Sequence, residues 1–253
     1  MLWNSSAIKG YAVAAGDGRL GVVSDFLFED ARWRIRWLVV DMGSSLSGRK
    51  VLLPVSALGQ PDSALRHFPV KLTMQQVKDS PDIDTDRPVS RQMETHVYDY
   101  YGWDPYWSGD YIPMAGGMVT PFVAPLALPD SKPRDVVKVD TQPKEGNPHL
   151  RSTEAVTGYH IHATDGEIGH VEDFLVDDAN WNICYVVVDT RNWWLGKTVL
   201  ISPRSVREIA WAERSLILDV DRQKVKNSPV YHSSMTIDGA YEERHRSHYG
   251  WRG

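Results

Sequence analysis

The chain has 253 residues, of which 42% are hydrophobic and 24% charged, and its formal net charge is −5 at pH 7. This composition predicts globular domains and argues against a nucleic-acid partner, because binding to phosphates needs a dense cluster of Lys and Arg. The single cysteine, Cys184, excludes an internal disulfide framework and favours a reducing compartment. The first residues lack a signal-peptide pattern, and no apolar run approaches the roughly 20 residues that span a bilayer, so we expect a cytoplasmic protein without a transmembrane segment.

The first half of the chain is repeated in the second half at an offset of 148 residues. The run from Gly10-Tyr11 to Val39-Val40-Asp41 returns between Gly158-Tyr159 and Val187-Val188-Asp189. Letter matching inserts one extra residue near Pro203, after which the offset resumes. A repeat of this length predicts two domains that each bury a core of their own, rather than a solenoid.

Each copy opens with two predicted hairpins. The first turns at Asp17-Gly18, or Asp165-Gly166 in the second copy, and this dipeptide between extended runs favours a two-residue turn of primed type. The second joins Phe26-Leu27-Phe28 to the apolar run at 35–40. Several short strands at close spacing indicate a small barrel or sandwich in each copy.

Short helices follow the strands. We expect one or two helical turns from Thr73 and from Asp221, which can cap a helix N-terminus, each stopping before a proline. A longer helix is predicted after Ser90 in the first copy and at 240–249 in the second. We divide the chain into a first domain at 1–103, a Pro/Gly-rich linker at 104–150 and a second domain at 151–253.

These residues carry a family resemblance. The pattern around Asp17-Gly18 and Asp25-Phe26, the strand that ends at Val39-Val40-Asp41, the segment 51–56 and the late Val77-Lys78-Asp79-Ser80-Pro81 resemble the PRC-barrel domain in both copies. The resemblance implies a mainly β fold of two small antiparallel PRC-type β-barrels in tandem, each followed by short helices. It implies no enzyme activity, because characterised members use the barrel for docking or assembly. Since a surface that paired identical subunits stays self-complementary after duplication, we expect a pseudo-two-fold pair.

Two motifs match ligand-binding patterns in letters only. Gly16-Asp17-Gly18-Arg19-Leu20-Gly21 resembles a dinucleotide fingerprint, but the residues that follow predict a strand where the fingerprint needs a helix. Asp82, Asp84 and Asp86 have the spacing that opens a calcium loop, but the later glycine and glutamate of that loop are missing. We interpret the first motif as a hairpin turn and the second as a solvated acidic turn.

His160 and His162 are the weak candidates for a metal site. They alternate on a predicted strand, so both imidazoles project from one face. The third ligand is missing unless a β-bulge shifts the register and moves His170 to that face. We therefore predict no metal and no cofactor, and treat the pair as an exposed polar face.

The repeated carboxylates at 17/165, 25/173, 30/178 and 41/189 are predicted to lie at turns or strand ends, where they accept backbone hydrogen bonds. No nucleophile stands in a recognisable triad context. Cys184 aligns with Arg36, so we interpret it as a strand thiol without a shared reactive role.

Aromatic residues are the best indication of function. We predict that they bind a partner, because Trp and Tyr bury a large apolar area with few rotors, and the alternative is that they fill the gap between the two barrels. The candidates are Trp193, Trp194 and Leu195 in a loop of the second copy, and Trp103, Tyr106 and Trp107 at the start of the linker.

We carry two hypotheses of function. The first is a non-catalytic cytoplasmic module that docks a protein partner or self-associates, with peripheral membrane contact allowed. The second is an uncharacterised enzyme or metal-dependent sensor that uses His160 and His162.

Overall fold

The computed structural model describes residues 1–43, 48–80, 97–98, 100–101, 150–190 and 197–250. Within these residues the fold is mainly β, as predicted, and its strands form two multistranded sheets. The strands of the first half are β1 (Leu2–Asn4), β2 (Ala12–Ala15), β3 (Gly18–Glu29), β4 (Arg34–Asp41), β5 (Lys50–Pro54) and β6 (His67–Pro69). Those of the second half are β7 (Leu150–Ser152), β8 (His160–Ala163), β9 (Gly166–Asp177), β10 (Ile183–Asp189), β11 (Thr198–Ile201), β12 (Val206–Ala210), β13 (Ser215–Leu218) and β14 (Val230–Tyr231).

The helices that follow the strands lie where the sequence predicts them, whereas the short helices Ser5–Ile8 and Thr153–Val156 were not predicted. Thr73 caps the first of two equivalent helices with a capping box, and Asp221 caps the second. Residues 97–98 and 100–101 are helical, and the remainder of the helix predicted after Ser90 lies outside the described residues. None of the helices in the described ranges is long and apolar enough to cross a membrane. The helices are α1 (Ser5–Ile8), α2 (Met74–Lys78), α3 (Thr153–Val156), α4 (Arg222–Lys226) and α5 (Gly239–Tyr249).

The two sheets repeat one strand order. The first runs β5-β4-β3-β2-β6, and the second contains the equivalent β11-β10-β9-β8-β13, extended by β14 at one end and β12 at the other. The long central strands β3 and β9 shift register against their neighbours β4 and β10. Such shifts bend a strand and increase its twist.

The expectation of wholly antiparallel sheets is wrong at one pair in each half. β2 runs parallel to β6, and β8 runs parallel to β13. A tight turn cannot join parallel neighbours, and here the intervening strands provide the crossover. Strands of three or four residues carry no sequence signal for the direction in which they pair.

The opening hairpins have two-residue turns, as predicted, but each turn lies one residue earlier. Gly18 and Gly166 already pair within the ladder, so the turns are Gly16-Asp17 and Thr164-Asp165. The positive φ angles, 155° and 139°, belong to these paired glycines. The turns are therefore not of primed type, which requires positive φ inside the turn.

The offset of 148 holds without interruption, which corrects the extra residue placed near Pro203. The 3-10 helices Val55–Ala57 and Pro203–Ser205 are equivalent, and the backbone bonds that their last residues accept keep the same spacing. Letter matching failed because Pro54 precedes the first helix, whereas Pro203 is the first residue of the second. Proline lacks a backbone N–H, and it is favourable at the first helical position because the N–H there has no partner within the helix.

Each half contributes its first strand to the sheet of the other half. β1 pairs antiparallel with β9, and β7 pairs antiparallel with β3. The two pairings are equivalent at the offset of 148, since Asn4 lies opposite Leu175 and Ser152 lies opposite Leu27. β7 begins at Leu150, the last residue assigned to the linker.

One hydrophobic core extends through both halves, which corrects the expectation of a separate core in each. Phe26 and Phe28 of the first half belong to the same buried cluster as Phe174 and Trp181 of the second. The ring centroids of Phe28 and Phe174 are 5.7 Å apart. A domain of about 100 residues buries a modest fraction of its surface alone, so the shared core adds apolar burial that neither half provides by itself.

Candidate functional site

Two buried aspartates join the halves. Asp25 accepts hydrogen bonds from Thr153 Oγ1 at 2.7 Å, from the Glu154 backbone N–H at 3.1 Å and from the Ser152 hydroxyl. The carboxylate therefore binds the start of α3, where N–H groups have no partner within the helix. Asp25 is 8% exposed.

Asp173 makes the equivalent contacts in the opposite direction. It accepts hydrogen bonds from Ser5 Oγ at 2.6 Å and from the backbone N–H and the hydroxyl of Ser6, at the start of α1. The prediction that both aspartates lie at turns or strand ends is wrong, because they lie inside β9 and β3. The sequence gives no sign that the donors come from the other copy.

A second pair of equivalent contacts uses unlike donors. The indole N–H of Trp3 donates to Asp178 Oδ2 at 3.0 Å, and Nε of Arg151 donates to Asp30 Oδ2 at 3.0 Å. Trp3 and Arg151 occupy the same place in the repeat. The contact between the halves has therefore kept its geometry while its chemistry diverged.

The turns that carry Trp33 and Trp181 also cross between the halves. Both residues have positive φ, 52° and 62°, which is unusual for a bulky side chain. The Trp181 carbonyl accepts from Ile35 N at 2.8 Å, and the Trp33 carbonyl accepts from Ile183 N at 2.7 Å. The Trp181 ring lies 5.8 Å from that of Phe68 in the first half. Backbone strain of this kind persists only where the surroundings fix the conformation.

Two related grooves lie beside these crossing turns. The larger has a volume of about 790 Å³ and the smaller about 500 Å³. Each is lined by a turn of one half and by the 3-10 helix of the other half. We call the larger one the arginine groove, because its lining includes Arg32, Arg204 and Arg246, and the smaller one the counterpart groove.

The arginine groove extends across the outer face of β10 to α5, through Cys184, Tyr185 and His245. Burial and the nearby carboxylates of Asp177 and Glu242 raise the pKa of the Cys184 thiol to about 11. This supports the interpretation of Cys184 as a strand thiol with little nucleophilic character, since the thiolate is the nucleophile.

His245 is buried within a cluster of aromatic rings. Its Nε2–H donates to the Leu200 carbonyl at 2.8 Å, and its ring centroid lies 5.0 Å from that of Tyr185 and 4.8 Å from that of Tyr249. Burial lowers the pKa of His245, and this effect outweighs the bond to Leu200. The neutral imidazole therefore joins α5 to the second sheet.

The weak metal candidates, His160 and His162, lie on β8, which is an interior strand of the second sheet between β9 and β13. A register shift after Ile161 places His160 directly opposite His170, so the β-bulge that the sequence left open is present. His160 Nδ1 lies 2.6 Å from Glu167 Oε1, and the His160 side chain is 62% exposed. Across the described part of the chain, no three His, Cys, Asp or Glu side chains are grouped closely enough to hold a metal ion.

Of the remaining motifs and residues singled out in the sequence, one lies within the described residues and the others lie outside them. The fingerprint-like run ending at Gly21 continues into strand β3, as predicted. The acidic triplet Asp82, Asp84 and Asp86 lies outside the described residues, and so do the predicted partner-binding residues, which are Trp193, Trp194, Leu195, Trp103, Tyr106 and Trp107.

Sequence reasoning missed the arginine groove. A comparison of the two copies could have indicated it, because three arginines have uncharged equivalents in the other copy. Arg32, Arg204 and Arg246 correspond to Asn180, Ser56 and Tyr98. The misplaced extra residue near Pro203 hid the second of these pairs.

Comparison with known proteins gives one similar sequence and no family. No family model matches the chain. A protein of Deinococcus radiodurans, described as an uncharacterized protein, is 36% identical over 92 residues, which are 36% of this chain. The match covers 32% of that protein, so the chain spans about a third of the length of the curated relative it matches. The description of the relative names no activity, ligand or partner.

Proposed function

We propose that this chain is a non-catalytic cytoplasmic module that docks a protein partner, built from two PRC-type barrels related by an approximate two-fold axis. The observation that carries the proposal is the reciprocal joining of the halves, in which Asp25 and Asp173 each bind the first helix of the other half. Two of the repeated carboxylate pairs, 25/173 and 30/178, serve as acceptors in this joint. The geometry thus supports a rigid platform for assembly better than a centre for acid–base chemistry.

The chain path supports the barrel part of the proposal. β11 and β12 lie towards opposite ends of the hydrogen-bonded order in the second sheet, yet only Ser202 and the 3-10 helix Pro203–Ser205 separate them in sequence. A sheet whose distant strands are joined by so short a link must curve round on itself. The equivalent link in the first half is Val55–Ala57, and this repeated curvature agrees with the resemblance to PRC-barrel domains.

We place the docking surface on the aromatic loop of Trp193, Trp194 and Leu195, together with Trp103, Tyr106 and Trp107. The first copy has only small or aliphatic residues where the loop has its two tryptophans, so the fold does not require them. Tryptophan is strongly favoured at the energetic centre of protein interfaces. A platform docked in this way can also lie at a membrane surface, where amphipathic rings are favourable.

The test is affinity capture with the double variant Trp193→Ala/Trp194→Ala. We expect the variant to lose a specific, identified partner that the unchanged protein retains, while its thermal unfolding stays the same. Trp211→Ala is the matched control, because Trp211 is a tryptophan of the same half that is 43% exposed and is not among the predicted docking residues. Equal recovery of the partner by the double variant and the unchanged protein would reject the loop as the docking surface.

A further inference from the structure

We propose that the arginine groove binds an acidic, extended segment of the docked protein partner through its carboxylates. This inference rests on the proposed docking function and names the chemistry of the partner. It concerns the surface lined by Arg32, Arg204 and Arg246, which is separate in sequence from the tryptophan loop.

Charge is the first step of the argument. The three arginines come from three elements, namely the turn after β3, the 3-10 helix Pro203–Ser205 and α5, and folding gathers them along one groove. Among the described lining residues the acid is Glu242, and Arg246 is also ion-paired with Glu243 at 3.3 Å. In a chain of net charge −5, this groove is a local reversal of sign. An acidic ligand is attracted there at short range, since salt screens the distant negative charges beyond about 10 Å.

The repeat shows that the fold does not need these charges. Asn180 and Ser56, the equivalents of Arg32 and Arg204, line the counterpart groove at the same places. Two sheets of equal strand order therefore form with or without the guanidinium groups. The counterpart groove has cations of its own, Arg34 and Lys71, at other places. The fold therefore does not require a charge at the places of Arg32 and Arg204, which favours a binding role for these two over a structural one.

Space in the groove has a specific cause. In the first half the place of Cys184 is taken by Arg36, which is 6% exposed and ion-pairs with Glu29 through its Nε at 3.0 Å. The side chain of Cys184 is much shorter than that of Arg36. It therefore leaves open, in the second half, the space that the Arg36 side chain occupies in the first half. The volume of about 790 Å³ lies within the range of ligand sites in proteins, and it accommodates several side chains of a peptide rather than a single small anion.

Carboxylates fit the lining better than phosphates. Guanidinium groups bind carboxylates in a bidentate manner, and such charge-assisted bonds are strong and directional. Glu242 repels a doubly charged phosphate more than it repels a single carboxylate. Buried Trp33 and Ile183 give the groove an apolar floor beneath the charged rim, which matches a peptide with apolar atoms as well as charge.

The experiment measures binding of a short fluorescent peptide rich in Glu by anisotropy, beside the same peptide with Gln in place of Glu. The full-length chain is compared with Arg32→Gln/Arg204→Gln and with Arg34→Gln/Lys71→Gln. The second variant removes the same charge from the lining of the counterpart groove. We expect the first variant to raise the Kd of the Glu peptide about tenfold or more, and the control to change it by less than about twofold. Thermal unfolding of both variants checks the fold.

Cys184 gives a second readout that is specific to the groove, because it is the one cysteine of the chain and lines the site. We expect the Glu peptide to slow alkylation of Cys184 by iodoacetamide at alkaline pH in the unchanged protein and in the control, but not in the first variant. Equal weakening in both variants, tight binding of the Gln peptide or an unprotected Cys184 would overturn the proposal. Tighter binding of a phosphoserine peptide of matched charge would also overturn it.

The two proposals fail separately. If the Glu peptide does not bind but capture of the partner still depends on Trp193 and Trp194, the groove inference is wrong and the docking function stands. If the peptide protects Cys184 but no partner is captured, the groove binds acidic segments and the proposed docking function is wrong.

Discussion

At the scale of single residues, Asp25 and Asp173 are buried carboxylates that link the two halves. A buried carboxylate is tolerated only where donors replace the water that it has lost. Each of these two accepts hydrogen bonds from a hydroxyl and a backbone N–H of the other half, in addition to a partner in its own half, which is the Phe174 N–H for Asp173 and the Lys9 ammonium for Asp25. The charge that stabilises the joined halves would therefore destabilise them apart.

Replacing either aspartate by asparagine tests this dependence. Asn presents one acceptor oxygen and places an NH₂ group against hydroxyl and N–H donors, so we expect Asp25→Asn and Asp173→Asn each to lower the free energy of unfolding by about 2 to 4 kcal/mol. Urea denaturation provides the measurement. Asp62→Asn is the control, since Asp62 accepts two backbone bonds in an exposed turn that Asn also forms. A control as unstable as the two variants would refute the special role of the pair.

His245 makes stability depend on pH. Its pKa is lowered by burial, so below the ordinary value of about 6.5 the unfolded chain binds a proton that the folded chain resists. Stability is then fully present above pH 6.5 and decreases as the pH falls towards the lowered pKa, by at most about 1.4 kcal/mol per pH unit. In His245→Val, which copies Val97 of the first half, this part of the slope should vanish. Unfolding free energies measured between pH 7 and pH 5 decide the matter, and parallel slopes would count against it.

At the scale of elements, a glycine in each long strand allows a close approach of backbone. A Cβ added to Gly21 would lie 2.1 Å from the Asp41 carbonyl oxygen, and one added to Gly169 would lie 2.1 Å from the Asp189 carbonyl oxygen. Neither contact can relax by moving a side chain, because the obstacle is backbone in both halves. The letters of a dinucleotide fingerprint thus have a steric explanation within the sheet.

The substitutions Gly21→Ala and Gly169→Ala should each cost about 2 kcal/mol or more, because the adjacent strand must move. Thermal unfolding measures the loss. Gly239→Ala is the matched control: Gly239 opens α5, has no atom within 4 Å of an added Cβ and should be neutral or slightly stabilising. Unfolding temperatures for the two strand variants equal to that of the control would disprove the close approach.

Local elements were predictable from sequence, and their partners were not. The paired strands of the hairpins, the caps at Thr73 and Asp221 and the end of each short helix before a proline follow from interactions within a few residues, and the structure confirms them, although the hairpin turns lie one residue earlier than predicted. The pairing of β1 with β9 and the parallel direction of β6 depend on contacts between distant residues, which one sequence does not encode as a periodic pattern. The same holds for the candidate site. Comparing the two copies could show that its arginines are present in one copy only, but not that folding brings them together in one groove.

At the scale of the whole molecule, the halves are joined by several kinds of contact. They share a core, exchange their first strands and cross at the turns of Trp33 and Trp181. A shared core couples the stability of one half to that of the other, so we expect a single unfolding transition for the chain. The shared buried surface was predictable because duplication preserves self-complementary surfaces, whereas the exchange of strands had no signature in the sequence.

Cutting the chain between the halves tests whether the contacts alone hold them. With a specific protease site inserted near the middle of residues 104–149, the folded protein can be cleaved after purification. We expect the two fragments to elute together on size exclusion at micromolar concentration, because separating them would expose the common core and remove the hydrogen bonds that each half donates to the aspartate of the other. Trp181→Ala should weaken this association, since its ring stacks on Phe26 and Phe68 of the other half, and the truncation of a buried Trp costs about 3 to 5 kcal/mol. Trp211→Ala, at an exposed turn within one half, should leave the fragments together. Separation of the unchanged fragments after cleavage would mean that the covalent link, and not the exchanged strands, keeps the halves joined.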